Sequence, residues 1–296
     1  MIHETGADWL AADRRRVLLF GMSGLGKTHV ASMLRAAGGW FHYSIDYRIG
    51  TRYMGEHIAD NFKREAMRVP LLRELLLTDS VYIASNITFD NLAPLSTYLG
   101  KPGDPARGGL PFAEYRRRQD EHREAEIAAL LDTPRFIGRA EDLYGYRNFV
   151  CDSGGSICEV VDPANPDDPV LRALSASLLM VWIEGSDAHT AELVRRFDRA
   201  PKPMYYQPAF LERAWADYRA ERGGLAPDAV DPDDFVRWTY ARALAHRQPR
   251  YAAMARHWGV RVTAAEVAAV RDAGAFCELV ARAIDRRGVE VAGATA

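Results

Sequence analysis

The chain has 296 residues, 48% hydrophobic and 26% charged. That is enough apolar material for a large α/β core with an inserted lobe, and it excludes a disordered tail or a disulfide-stapled miniprotein. Thirty-eight Lys and Arg against forty Asp and Glu leave a net charge of -2, so no global field draws the protein onto nucleic acid or an anionic membrane, and any anion site must be local. The three cysteines, Cys151, Cys158 and Cys277, show no metal-ligand spacing and read as reduced thiols of a cytoplasmic protein without structural zinc. Met1 to Arg16 lacks the apolar run of a signal peptide, and the longest apolar run, Leu178 to Ile183, has the length of a strand rather than a membrane span.

In chain order, Val17 to Phe20 predicts a first strand that ends at Gly21, and apolar positions at Val30, Met33, Leu34 and Ala37 predict a helix from Lys27 to the Gly38-Gly39 stop. Further strands are expected at Trp40 to Ile45, Asn148 to Cys151, Leu178 to Ile183 and Val260 to Val262. Five strands separated by helical patterns predict a parallel sheet covered on both faces, because parallel neighbours need crossover connections. More than 90 residues separate the second strand from the third, far more than one crossover helix needs. We therefore expect a single domain over 1–296, with an insertion at about 55–145 forming a helical lobe over an acceptor site. Within it, Pro111 opens a helix over Phe112 to Leu131, and Lys101 to Gly109 reads as an exposed loop. A lid and extra helices are expected over 186–250, with helical patterns at Ala209 to Glu221 and Asp234 to His246. The end, Val291 to Ala296, is a short low-complexity tail.

Gly21-Met-Ser23-Gly24-Leu25-Gly26-Lys27-Thr28 fits G-x-x-x-x-G-K-[ST] at every defined position, between a predicted strand and a predicted helix. Glycines let backbone N–H groups wrap phosphates and the helix N-terminus adds its dipole; Lys27 reaches the β- and γ-phosphates and Thr28 can ligate Mg²⁺. These residues, with His29 in the same turn, are the candidate ATP site. The guanine-reading Asn-Lys-x-Asp of GTPases is absent. Only Asp152 follows an apolar strand, where motor-type ATPases carry consecutive acids. Small-molecule kinases remain.

The loop is similar to that of the shikimate-kinase-like group of phosphate-loop kinases, whose wider relatives include gluconate kinase, adenylylsulfate kinase and zeta toxins. Phe41-His-Tyr-Ser44-Ile-Asp46 resembles the group's second strand, which ends in Asp-x-Asp; here Ser44 stands for the first acid. The resemblance implies a sheet ordered 2-3-1-4-5. It makes Asp46 the group that orients or deprotonates an acceptor hydroxyl, and Asp152 takes over the Mg²⁺ shell. Asp152-Ser-Gly154-Gly155-Ser resembles the substrate-facing glycine turn. Ala191 to Pro201 resembles the lid helix, so Arg195, Arg196 or Arg199 would meet nucleotide and transferring phosphoryl. Arg247-Gln-Pro-Arg-Tyr251 resembles R-x-P-x-Y, whose first arginine binds an acidic substrate. The implied activity is ATP- and Mg²⁺-dependent phosphoryl transfer to a hydroxyl of a small polar or anionic metabolite.

Other residues have plainer readings. Asp46 also fits a helix cap, and Asp152 a turn-former before two glycines. Tyr43, Tyr47, Arg48, Arg52 and Tyr53 fit an acceptor pocket or mere surface, with Arg48 the substrate-binding candidate. Arg116-Arg117-Arg118, set among Glu114, Asp120, Glu121, Glu124 and Glu126, reads as a solvated helix face. Arg64 reads as exposed helix, His42 and His257 as packed or surface residues, and Cys151 as a buried strand thiol. The rival reading is a nucleotide-gated regulatory ATPase with a protein partner. A third is a phosphate-loop protein that binds nucleotide without turnover, which Ser44 keeps open.

Overall fold

The computed structural model describes residues 3–294, with side chains to residue 289; the side chains of the Val291 to Ala296 tail lie outside that range. Contacts divide the chain into two compact units. The first comprises Met1–Ile45, Leu130–Arg199 and Tyr240–Ala296, and the second Asp46–Ala129 and Ala200–Thr239. The expected insertion and the expected excess before the last strand thus fold largely together as a second unit, where the sequence suggested one domain with appended helices.

The first unit is built on five parallel strands: β1 (Arg16–Phe20), β2 (Trp40–Ser44), β3 (Asn148–Asp152), β4 (Leu179–Glu184) and β5 (Gly259–Thr263). Their order is β2-β3-β1-β4-β5. Val17, Leu18, Leu19 and Phe20 are all fully buried, as a central parallel strand covered on both faces requires. The register pairs Leu18 with Cys151, Leu19 with Asp152 and Phe20 with Trp182. From β1 the chain builds β2 and β3 on one side and then crosses to β4 and β5 on the other. The carboxyl end of β1 is therefore the topological switch point, where open α/β sheets hold ligands.

Helices α1 (Gly6–Ala11) and α2 (Lys27–Ala36) flank β1 in sequence, and α3 (Ile45–Arg48) follows β2. The second unit then supplies α4 (Gly55–Ala66), α5 (Pro70–Leu77), α6 (Ala93–Leu99) and most of α7 (Phe112–Leu131). The chain continues through α8 (Thr133–Tyr144), α9 (Ile157–Val160), α10 (Pro169–Ser177) and α11 (Asp187–Arg199). After α12 (Pro208–Glu221) and α13 (Pro232–Trp258), it closes with α14 (Ala264–Ala269) and α15 (Ala273–Ala294).

Local chemistry sets the ends of these helices. Thr5 and Asp8 form a capping box on α1, Thr263 and Glu266 another on α14, and the Asp168 carboxylate accepts from the amides of Val170 and Leu171 ahead of α10. The N-terminal helix is tied to the C-terminal one: Gly6 N–H donates to Asp285 Oδ1 at 2.7 Å, and Trp9 Nε1 donates to the Cys277 carbonyl at 2.9 Å. No helix among the described residues is long and apolar enough to cross a membrane.

In the second unit, α7 follows Pro111 as the sequence predicts, but its arginine run is not one solvated face. Arg117 pairs with Glu114 and Glu121 at the surface. Arg118 is buried, and besides its ion pair with Glu114 at 2.8 Å it donates to the Tyr98 carbonyl and, at 3.0 Å, to Asn61 Oδ1. One turn of α7 therefore presents charge to water on one side and inserts it among carbonyls on the other.

Candidate functional site

The phosphate loop leaves β1 at the switch point and runs into α2. Its shape depends on glycine. Gly21 has φ +136°, and a Cβ there would lie 2.5 Å from the Ile183 carbonyl oxygen. Gly26 caps α2 in the left-handed region at φ 90°. The first turn of α2 holds Lys27, Thr28 and His29 and no acidic residue, so the positive end of the helix is not neutralised locally. Thr28 and His29 are exposed, whereas Lys27 is buried. The Lys27 ammonium donates to the carbonyls of Gly21 at 2.8 Å and Met22 at 2.7 Å, which holds it against the loop's own backbone. Ser23 and Gly24 are exposed and Leu25 is buried beneath them.

Several elements of the first unit converge on this loop. His189 Nε2 on α11 lies 3.3 Å from the Ser23 carbonyl oxygen, and Gln248 Nε2 on α13 lies 3.2 Å from Met22 Sδ. The turn after β3 also packs against it. A Cβ on Gly155 would stand 3.5 Å from Ser23 Oγ and 3.7 Å from the Ser23 amide nitrogen. Asp152 ends β3, buried, with its carboxylate 3.8 Å from His42 Nε2 and its backbone in register with Ser44. Ser153 donates through both its amide and its hydroxyl to the Leu19 carbonyl, pinning the start of the Gly154-Gly155 turn to β1. The structure thus brings together the loop, the Asp152 strand end and the glycine turn.

Arg247, for which the resemblance implies contact with an acidic substrate, is buried. It is 6% exposed, and its Nε donates at 2.6 Å to Oε1 of Glu159, whose side chain is fully buried. Burial disfavours the charge, but the neighbouring Glu159, Tyr251 and Cys158 groups together outweigh it and raise the guanidinium pKa. The rest of the Arg247-Gln-Pro-Arg-Tyr251 segment, inside α13 around Pro249, grips the same turn. Arg250 donates to the carbonyls of Cys158 at 2.6 Å and Val161 at 2.7 Å, and the Tyr251 hydroxyl donates to the Gly155 carbonyl. Glu159 and Arg250 were not singled out from sequence, and Tyr251 only as the last residue of R-x-P-x-Y. The R-x-P-x-Y spacing marked the place, but nothing marked Glu159 as the partner, 88 residues away.

The arginines that the resemblance assigns to a lid lie on α11. Arg195 pairs with Glu192 at 2.6 Å, Arg199 lies 4.0 Å from the same carboxylate, and all three of Arg195, Arg196 and Arg199 are exposed. Asp46 is the second residue of α3, half-buried, and belongs with Arg48 to the second unit. Arg48 lies 5.5 Å over the Tyr53 ring at the end of a π-helical stretch, Ile49–Tyr53, a local form that recurs at functional sites. Arg64 and His257 are exposed and His42 is buried. Burial pushes the Cys151 thiol well above its ordinary pKa, as suits an inert strand cysteine.

The donor set fits a nucleotide. Three loop glycines with positive φ, the bare N-terminus of α2 and the buried ammonium form a cradle for anionic oxygens. It also fits Mg²⁺ in the sparse manner usual for that ion. Among the described residues no group of three or more His, Cys, Asp or Glu gathers to hold a metal, so Thr28 and Asp152 would supply the protein ligands beside phosphate and water.

No protein-family model matches the chain, and no curated protein matches it. Among solved structures, the chain is similar to shikimate kinase from Bacteroides thetaiotaomicron at 16% identity, over 94% of this chain and 96% of that one, with a TM-score of 0.36.

Proposed function

We propose that the protein is an ATP- and Mg²⁺-dependent phosphotransferase that acts on a hydroxyl of a small polar or anionic metabolite. The observation that carries this reading is the loop itself: a complete phosphate-binding sequence at the switch point of a parallel sheet, its lysine buried against the loop and a glycine turn beside Ser23. Phosphoryl transfer asks a protein mainly for positioning and charge neutralisation. Backbone amides of Gly21 to Thr28 and the Lys27 ammonium bind phosphate oxygens. Thr28 and Asp152 would hold Mg²⁺, which when bound would help neutralise the charge that develops on the phosphoryl group. Arg199, Arg195 and Arg196 serve the nucleotide and the transferring group, Asp46 orients the acceptor hydroxyl, and Arg48 with the Gly154-Gly155 amides binds the acceptor. Arg247, in this reading, anchors the glycine turn through Glu159 rather than touching substrate.

The test is turnover of the wild type, Lys27→Ala and Asp46→Ala with Mg²⁺ across a pooled library of hydroxylated metabolites, following ADP and phosphorylated products by mass. A new phosphorylated metabolite that disappears in both variants supports the reading. Nucleotide binding with no product in any pool refutes it and favours a nucleotide-gated switch; Ser44, in register with Asp152, lends support instead to the reading of a phosphate-loop protein that binds nucleotide without turnover.

A further inference from the structure

The loop from Lys101 to Gly109, which the sequence marks as exposed, is strapped within the second unit onto the residues that open α13. The Asp104 amide donates to the Val230 carbonyl at 2.8 Å, the Lys101 ammonium donates to Asp233 Oδ1 at 2.5 Å, and Arg107 pairs with Asp231 at 2.6 Å. Gly103, at φ +138°, passes so close that a Cβ there would lie 2.4 Å from the Val230 oxygen. Across the base of the loop the Leu110 amide donates to the Lys101 carbonyl at 2.8 Å and the Gly103 amide to the Leu110 carbonyl at 2.9 Å. A loop tied at its base and along its length offers a preformed wall to anything that binds against it. It borders a cavity of about 660 Å³, inside the size range of small-molecule sites. The other walls are α6 with the residues just before it, Lys202-Pro203 and the start of α13, so the whole cavity belongs to the second unit. None of its residues is used by the phosphate loop or by the acceptor reading.

Most of the charge on these walls is already paired. Lys101 is matched by Asp233 and Arg107 by Asp231. What remains is one carboxylate and one ammonium. Asp90 and Lys202 both line the cavity, both are exposed, and neither makes an ion pair or a side-chain hydrogen bond among the described residues, with each other or with any other group. The hydroxyls of Ser96 and Thr97, on the α6 wall, likewise make no hydrogen bond among the described residues. Leu92, Ala93 and Pro203 add apolar surface between these polar groups.

We infer that this cavity binds a small zwitterion of the amino-acid type, with its ammonium at Asp90 and its carboxylate at Lys202. Charge selects that class. A zwitterion pairs both uncommitted groups at once through charge-assisted hydrogen bonds, while Ser96 and Thr97 serve its polar substituents and the apolar wall its carbon skeleton. An apolar guest would take Asp90 and Lys202 out of water and give them nothing in return. A nucleotide or nucleic acid would bring several negative charges to a site with one unpaired cation and one unpaired carboxylate. Free amino acids and short peptides share the chemistry that fits, and the inference holds whether or not the chain transfers phosphoryl groups.

The experiment is saturation-transfer NMR of the full chain against the common amino acids and a set of serine-containing dipeptides, with calorimetric titration of every member that responds. Acetate and ethylammonium, which carry one of the two charges each, are the controls. At least one zwitterion is expected to bind with a dissociation constant below about 1 mM, and neither control to reach that strength. Lys202→Met and Asp90→Asn keep the size of exposed side chains, and an unchanged circular dichroism spectrum verifies the fold; each should weaken the binding about tenfold or more. A response from amino acids alone or from dipeptides alone supports the proposal and says which source supplies the zwitterion. No zwitterion binding at that strength, binding that survives both variants, or acetate binding as tightly as the zwitterions overturns it.

Discussion

Replacing Arg247 by alanine separates an anchoring residue from a substrate ligand. The Glu159 side chain is fully buried and Arg247 is 6% exposed, so truncating the arginine removes the permanent charge beside a buried carboxylate and leaves the His246 imidazole, 3.6 Å away, next to it. Breaking a buried pair by removing one partner costs about 3–5 kcal/mol, two or more decades in the folding equilibrium. Replacing both partners with apolar groups of similar volume removes the buried charge. Arg247→Met/Glu159→Leu should therefore lie within about 1–2 kcal/mol of the wild type, and the two sites should show a coupling energy above about 2 kcal/mol in a double-mutant cycle. Urea unfolding followed by circular dichroism measures all four proteins. The reasoning is refuted if Arg247→Ala is as stable as the wild type within about 1 kcal/mol and only the KM for an acceptor rises, which is the signature of an exposed substrate contact.

Other expectations follow from single features. Gly21→Ala forces φ +136° on a residue with a Cβ 2.5 Å from a carbonyl oxygen, whereas Gly155→Ala places its Cβ at an ordinary 3.5 Å from Ser23 Oγ. The first should destabilise by about 2 kcal/mol or more and the second by less than about 1 kcal/mol, and equal effects in thermal unfolding would contradict the loop geometry. Burial raises the Cys158 thiol to about 12 and Cys151 well above its usual value. Iodoacetamide at pH 8 should thus label the native protein at half-buried Cys277 alone, and native labelling of Cys151 would show that β3 is accessible. Glu114 is held at about 2, below its ordinary 4.5, chiefly by its hydrogen bond to Arg117 and further by Arg118, against the opposing effect of burial. Its stabilising contribution is full above about 4.5 and fades as pH falls toward 2, so the stability gap between wild type and Glu114→Gln should narrow over that window. A gap that widens on acidification would reverse the sign.

Much of the first unit was legible in the sequence because its signals are local. Short apolar runs ending at Gly21, Asp46 and Asp152 located strands whose observed ends, Phe20, Ser44 and Asp152, differ by a residue or so. The phosphate loop announces itself because each defined position answers a backbone or charge requirement. What escaped the sequence is long-range. The second unit gathers two stretches separated by 70 residues, 46–129 and 200–239, and no periodicity within either shows that they fold together. The helix over Ala209 to Glu221 was placed within a residue, but the next pattern, read as ending at His246, runs on to Trp258 through Pro249. Packing of Arg250 and Tyr251 onto the β3 turn accompanies a proline that local propensity takes as a stop. Arg118 illustrates the same limit: its neighbours in sequence are acids, but its partners in space are the Tyr98 carbonyl and Asn61 as well.

The most direct test of the central claim follows the γ-phosphoryl group of isotope-labelled ATP, incubated with Mg²⁺, the wild type or Lys27→Ala, and pooled hydroxylated metabolites. The account predicts label on an organic acceptor with the wild type and none with the variant. Label that stays on ATP, or that appears only as inorganic phosphate, would contradict it.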